Sequence, residues 1–221
     1  MNSRILNTEV QLFLVQNLDA DLDRIVLKGS PFEGITGKEL AQQIQSRRKC
    51  RTKLPLWFST EGILFPPALN IEQSSSEKAA EYKASLIEGQ KIADLSGGLG
   101  VDTLFFSRRF EQVWHIEIDQ NLHEIARHNL KKLHAGRVMC INDEAIAFLE
   151  SSNEKFDWIY VDPSRRDEYK KKVFRLEDCS PDLVENLDVI LSRCDNLLIK
   201  LAPFLDISDA LKQLKKVEEV Q

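Results

Sequence analysis

A chain of 221 residues can bury one full core and a small second unit, since single domains run to roughly 100–200 residues. With 43% apolar and 29% charged residues, nine glycines and seven prolines, neither a disordered nor a fibrous class fits. The net charge of −5 argues against a surface that grips phosphate everywhere; no apolar run is long enough to span a bilayer, and "MNSRILNTEV" lacks a secretory signal's basic-then-apolar layout, so the chain reads as cytoplasmic.

The first seventy residues predict helices. Thr8-x-x-Gln11 and Thr36-x-x-Glu39 fit the capping box, in which a hydroxyl and a side-chain carbonyl satisfy the first free amides of a helix. Gly29, Pro31 and Gly34 break the chain between them. The run "RRKCRTK" at 47–53 carries five cations in seven residues and reads first as a solvated helix end, second as a grip on RNA. "KLPLWFSTEGILFPPALN" is apolar, aromatic and punctuated by Pro55, Pro66 and Pro67, which predicts an irregular seam between two units. A small helical domain over 1–72 follows, with a larger domain over 73–221. Ser74-x-x-Glu77 is expected to open a helix through about Glu88, with Gly89 as its stop.

From residue 91 short β-rich runs alternate with helical periodicity. "KIADL", "VWHIEI", "RVMCI", "WIYV" and "NLLIKL" are the expected strands, and Ser180-Pro181 is expected to open a late helix. Such alternation means an α/β fold, a doubly wound, mostly parallel Rossmann-like sheet covered on both faces. After a last helix starting at Asp206, "VEEV" at 217–220 reads as the beginning of a sixth strand, so the sheet is expected to be cut short at its C-terminal end. Cys50, Cys140, Cys179 and Cys194 are far apart, and His123 and His128 miss the i, i+4 spacing of a helical metal site, so no metal is expected.

"ADLSGGLGVD" joins the first strand to the first helix of the sheet through Gly97, Gly98 and Gly100, a turn whose amides can approach a nucleotide-like cofactor. Acidic residues stand at successive strand ends: Asp94, Glu117 and Asp143. Glu117 lies 19 residues beyond Gly98, where a carboxylate can accept both ribose hydroxyls of a nucleoside. That spacing suits NAD as well. An anion within the turn, however, repels a pyrophosphate, and Thr103 stands where a dinucleotide fingerprint has its third glycine. A cationic cofactor, S-adenosyl-L-methionine, fits the charges better.

"DLSGGLG", "IEID", "ND" and "VDPSRR" resemble motifs one to four of class I S-adenosylmethionine-dependent methyltransferases over roughly 90–216. "LSGGLGVDT", "DPSRRD" and "FRLEDCSPD" further resemble bacterial methyltransferases with a THUMP-like C-terminal domain, and through them the trimethylguanosine-synthase type that methylates guanine N2 of RNA. The resemblance implies that Asp94, Ser96, Gly98 and Gly100 hold the methionine end, that Glu117 takes the ribose and Asp143 the adenine amino group, and that Ile118 and Asn142 flank the adenine. It also implies that Asp162 and the carbonyl of Pro163 accept the hydrogens of an exocyclic amine. Ser164 and Arg165 depart from the usual D-P-P-aromatic pattern, so a base must stack on Trp57, Phe58 or Phe174, or on the Arg165 guanidinium. Arg165 and Arg166 are either contacts to substrate phosphate or a solvated loop paired with Asp167 and Glu168.

The leading expectation is therefore RNA methylation at an exocyclic base nitrogen. A small-molecule or protein methyltransferase of the same fold, a catalytically silent RNA-binding module and, last, a NAD-dependent oxidoreductase are the alternatives.

Overall fold

The computed structural model describes residues 2–165, 176, 179–201, 207–214 and 217–220. A 3-10 turn (Ser3–Leu6) leads into α1 (Thr8–Gln16), α2 (Leu22–Lys28) and α3 (Gly37–Lys53). The Thr36–Glu39 capping box forms as expected: Thr36 Oγ1 accepts from Glu39 N at 3.1 Å, and Glu39 Oε2 from Thr36 N at 2.7 Å. The first cap moves by one residue, because Asn7 Oδ1 accepts from Glu9 N at 2.9 Å and the Gln11 side chain instead donates to the Ile5 carbonyl at 2.8 Å.

The cations of the basic run ending α3 find partners within the fold. Arg47 is buried and lies over the rings of Phe58 and Phe65, and it donates to the Phe58 carbonyl at 3.0 Å. Arg48 donates to the carbonyls of Leu18 and Ala20, Lys49 pairs with Glu72, and Arg51 reaches Asp19 at 3.5 Å. Lys53 donates to the Ile71 and Glu72 carbonyls at 2.8 and 2.6 Å. The run divides: Arg47, Arg48 and Lys53 serve nearby carbonyls, while Lys49 and Arg51 form surface ion pairs at the solvated end of the helix.

Two short helices, α4 (Pro55–Ser59) and α5 (Ala68–Gln73), interrupt the predicted irregular seam. Its middle runs buried through Ile63, Leu64 and Phe65, and side-chain amides supply the missing backbone partners. Asn129 bonds both the amide and the carbonyl of Leu64, at 2.9 and 2.8 Å, and Gln43 does the same for Phe65, at 3.0 and 2.6 Å. Trp57 is fully buried, so it packs and cannot stack on a base. The next helix, α6 (Glu77–Ser85), is capped by Ser76 rather than Ser74, whose hydroxyl donates back to the Ile71 carbonyl at 2.9 Å.

The rest alternates: β1 (Gly89–Asp94), α7 (Val101–Phe106), β2 (Phe110–Ile116), α8 (Gln120–Lys132), β3 (Val138–Ile141), α9 (Ala145–Ser151) and β4 (Phe156–Val161). A small antiparallel pair, β5 (Ser164–Arg165) and β6 (Cys179–Ser180), precedes α10 (Leu183–Ser192), β7 (Cys194–Ile199) and α11 (Ile207–Leu214). Ser180 therefore lies in β6, and α10 is capped by Asp182, which accepts from Val184 N and Glu185 N at 3.0 and 3.1 Å. The strand expected at 217–220 joins no ladder; its four residues are exposed, and a short segment with two glutamates has nothing to bury without an edge to pair with.

All ladders of the main sheet are parallel, in the order β3-β2-β1-β4-β7, so strand order reverses between β1 and β4. Side chains alternate between its faces. Ile92, Val113 and Tyr160 pack with α7, α8 and the seam residues Trp57 and Phe65, while Ala93, Trp114, Ile159 and Val161 pack with α9, α10 and α11. A third cluster joins α1, α2 and the first half of α3 through Val10, Leu14, Ile25, Leu40 and Ile44. Among the described residues no helix is long and apolar enough to cross a membrane.

Because Trp57 fills the first sheet face, Trp57→Ala is expected to lower unfolding stability by about 3–5 kcal/mol in a urea titration, the range for emptying a large aromatic site. A change below about 1 kcal/mol would contradict this packing.

Candidate active site

At the carboxyl end of β1 the chain must turn under β2, and the turn's glycines follow from that crowding. A Cβ on Gly97 would stand 2.4 Å from His115 Cε1 and 2.7 Å from the Ile116 carbonyl. Gly98 is different: its φ is +54°, and a Cβ there would meet only the Ser96 carbonyl, at an ordinary 3.7 Å, which leaves its backbone approachable. Ser96 stays out of the positive-φ region.

Glu117 closes one side. Its Oε2 accepts from Gly98 N at 2.8 Å and its Oε1 from Asp119 N at 2.7 Å, which fixes the carboxylate at the turn and leaves lone pairs on both oxygens. Burial pushes its pKa up against these backbone N–H bonds. Beside it Ile118 is 68% exposed, an apolar side chain turned to solvent. Asn142 donates to the carbonyls of Glu117 and Ile118 at 2.7 and 3.1 Å, so its amide braces this wall, and Asp143 Oδ1 accepts from Glu144 N at 2.8 Å.

Asp94 does not line the mouth. It is 1% exposed and points to the α7 face, where Oδ2 accepts from Thr103 Oγ1 at 2.7 Å and Oδ1 from Ser96 N and Ser96 Oγ at 3.1 and 3.2 Å. Burial, followed by the charge of Asp102, raises its pKa from 3.8 to about 7. Thr103 also lies 2.9 Å from His115 Nδ1. Since Thr103 donates to Asp94, its oxygen is left to accept, which assigns the Nδ1–H tautomer to a histidine that burial keeps neutral, its pKa pushed down to about 3.

The reversal of strand order brings in Asp162, as predicted. Its backbone N–H donates to Ser96 Oγ at 2.7 Å, joining the end of β4 to the glycine turn. Its carboxylate is gripped by Lys200, whose Nζ stands 3.0 and 2.8 Å from the two oxygens. Burial raises the pKa of Asp162, and the hydrogen bond and charge of Lys200 oppose that. Pro163 is half-buried and Ser164 exposed; the Arg165 side chain lies outside the described residues, as do Arg166, Asp167, Glu168, Phe174 and Asp206.

Sequence reasoning missed the group beneath this floor. Lys83 from α6 pairs with Asp102 Oδ1 at 2.6 Å and donates to Tyr160 Oη at 2.7 Å and Ser75 Oγ at 2.8 Å. Ser75 and Tyr160 in turn donate to Asp102 Oδ2 at 2.8 and 3.2 Å. Burial and the charge of Asp102 keep the Tyr160 phenol protonated. The available signals were a tyrosine inside an apolar strand, whose hydroxyl needs a buried partner, and a lysine closing another apolar strand. The cysteines take no part: burial raises Cys50 to about 12 and Cys140 and Cys194 to about 11. Among the described residues no three histidine, cysteine or acidic side chains gather as metal ligands.

The raised pKa of Asp94 has a sign that can be tested. A carboxyl more readily protonated in the folded state contributes stability that is complete below pH about 4 and lost as pH rises through about 7. Thermal melting of the wild type is therefore expected to decline relative to Asp94→Asn between those limits and to run parallel above them; parallel curves throughout would contradict the burial of a titrating Asp94.

A family model described as Conserved hypothetical protein 95 matches residues 77–195. Among solved structures, a Porphyromonas gingivalis W83 protein described as a "putative methyltransferase" is 31% identical with a TM-score of 0.81; the match covers 96% of this chain and 52% of that one, so this chain spans about half that protein's length. A precorrin 8w decarboxylase from Methanobacterium thermoautotrophicum is 16% identical with a TM-score of 0.48, over 69% of this chain and 73% of that one. An rRNA methylase from Streptococcus thermophilus is 15% identical with a TM-score of 0.45, over 64% of this chain and 80% of that one. No curated protein matches the sequence. The parallel sheet, reversed between β1 and β4 and covered by helices on both faces, is a Rossmann-like methyltransferase fold, and the chain belongs to the Conserved hypothetical protein 95 family.

Proposed function

We propose that the chain carries an S-adenosylmethionine-dependent methyltransferase site that acts on an exocyclic amine of an RNA base, guanine N2 above others. The observation that carries this is the junction of β4 with the glycine turn: Asp162 leaves its strand tied by its own N–H to Ser96, with Pro163 next to it. A carboxylate and a proline carbonyl side by side suit the two hydrogens of a primary amine, and accepting both aims the nitrogen lone pair. The likeness to the Porphyromonas gingivalis protein supports the reaction class.

The cleft suits the cofactor. Gly98 offers open backbone, Glu117 a fixed carboxylate for ribose hydroxyls, Ile118 an exposed apolar side chain for the adenine, and Asp143 an acceptor for its amino group. Glu117 fixes a negative charge at the glycine turn, which favours a cationic ligand over a pyrophosphate. When bound, S-adenosylmethionine would supply a sulfonium-activated methyl group, and the Asp162 carboxylate would hold the proton that the amine gives up. The chain's own contribution is to orient the amine and exclude water.

One observation favours the small-molecule or protein methyltransferase reading. Of the cations at 47–53, which would otherwise argue for RNA, Arg47, Arg48 and Lys53 are held by backbone carbonyls of the fold.

Calorimetry is expected to show binding of S-adenosylhomocysteine and none of NAD, with loss of that binding in Glu117→Ala; equal binding of NAD would overturn the cofactor. Asp162→Ala is expected to keep cofactor binding and to abolish methyl transfer from labelled cofactor into total RNA. Digestion of that RNA to nucleosides identifies the atom, and label confined to protein or small molecules would displace the RNA reading.

A further inference from the structure

Asp162 is held from two directions, and the second hold is not accounted for by the fold. The β4–β7 ladder ends at Val161↔Ile199, and one more backbone bond, Lys200 N to the Val161 carbonyl at 2.9 Å, brings Lys200 alongside Asp162. Sheet pairing requires only that backbone contact. The lysine side chain nonetheless spans both oxygens of Asp162, at 3.0 and 2.8 Å. The ammonium is on the wetter side, with the Lys200 side chain 41% exposed and that of Asp162 24%.

We propose that Lys200 is a positioning residue for Asp162, clamping its carboxylate in the orientation and charge that an amine donor requires. The assignment rests on the reading of Asp162 as the amine's acceptor. An amine needs an acceptor, whereas a protonated carboxyl presents an O–H of its own and competes for the nitrogen lone pair. Burial drives Asp162 toward that wrong form.

Among the described residues, the titratable groups that face Asp162 are Lys200 just after β7, Lys83 from α6, Asp102 from α7 and the protonated Tyr160 phenol of β4. Lys83 and Asp102 are already paired at 2.6 Å and largely offset one another. Among the described residues that leaves Lys200 as the countercharge in direct contact. A bidentate ammonium uses two of the roughly four lone-pair sites of a carboxylate, so acceptor capacity remains for substrate.

The test uses the full chain with Lys200→Met and Lys200→Arg. Carboxyl carbon NMR, with Asp162→Asn to identify the resonance, follows the titration of Asp162 and needs no substrate. In Lys200→Met the midpoint is expected to rise by about one pH unit or more, the usual effect of removing an adjacent cation, and Lys200→Arg to recover most of it. Affinity for S-adenosylhomocysteine should stay within about twofold in both, as expected for a residue outside the cofactor cleft. Methyl transfer to total RNA at pH 7 should fall about tenfold or more in Lys200→Met, with the acid limb of the rate profile displaced to higher pH.

An unshifted Asp162 titration in Lys200→Met overturns the proposal, and so does a rate loss that leaves the pH profile in place. If wild type transfers no label to RNA, or if Asp162→Ala transfers it normally, the functional reading fails on its own account. The titration still decides whether Lys200 governs Asp162.

Discussion

The pairing of β1 with β4 places the groups on which the chemistry depends. Because the chain builds outward to β3 and then returns to the other edge of β1, the carboxyl ends of these two strands part, and the loops after them run in opposite directions from one point. The glycine turn follows one strand and Asp162-Pro163 the other. Their separation is fixed by ladder spacing rather than by loop conformation, and the bond from Asp162 N to Ser96 locks the two loops together. Side-chain alternation then sorts what lies beneath. Asp94, His115 and Tyr160 share the face covered by α6 and α7, so the polar groups of Lys83, Asp102 and Thr103 meet them there.

Such a concentration of charge in a poorly solvated place is unfavourable unless each group finds a partner. The molecule deals with this in two ways. Asp94 is surrounded by donors and shifts toward neutrality, while Asp102 and Asp162 keep company with Lys83 and Lys200. Lys83 has a second consequence: it comes from the segment that links the helical N-terminal region to the sheet, so its ion pair fastens that segment to the first turn of α7, next to the glycine turn. Ser75 and Tyr160 complete the fastening.

The basic run of α3 illustrates how local composition misleads. Five cations in seven residues look like a surface for phosphate, yet helical spacing turns Arg47 inward to the rings of Phe58 and Phe65 and Arg48 to the carbonyls of the turn after α1. Carbonyl oxygens left free at helix ends and turns are strong acceptors, and a guanidinium or ammonium serves them well. Which acceptors lie within reach is a property of the packed helices, not of the run.

The sequence by itself determined the parallel sheet, the glycine turn with Glu117 at its side, and the arrival of Asp162 beside that turn, because strand periodicity, glycine's backbone freedom and parallel connection rules all act over short stretches. Helix starts were less legible: Asn7, Ser76 and Asp182 displaced neighbouring candidates, since several adjacent side chains can cap and the winner depends on where the helix docks. Only the tertiary structure decided that Asp94 turns inward to Thr103, that Lys83 pairs with Asp102 across 19 residues, and that Lys200 closes on Asp162 across 38. These are contacts between charged groups far apart in the chain. Nothing in local pattern encodes them, because an ion pair has no periodicity and forms wherever folding removes two opposite charges from water together.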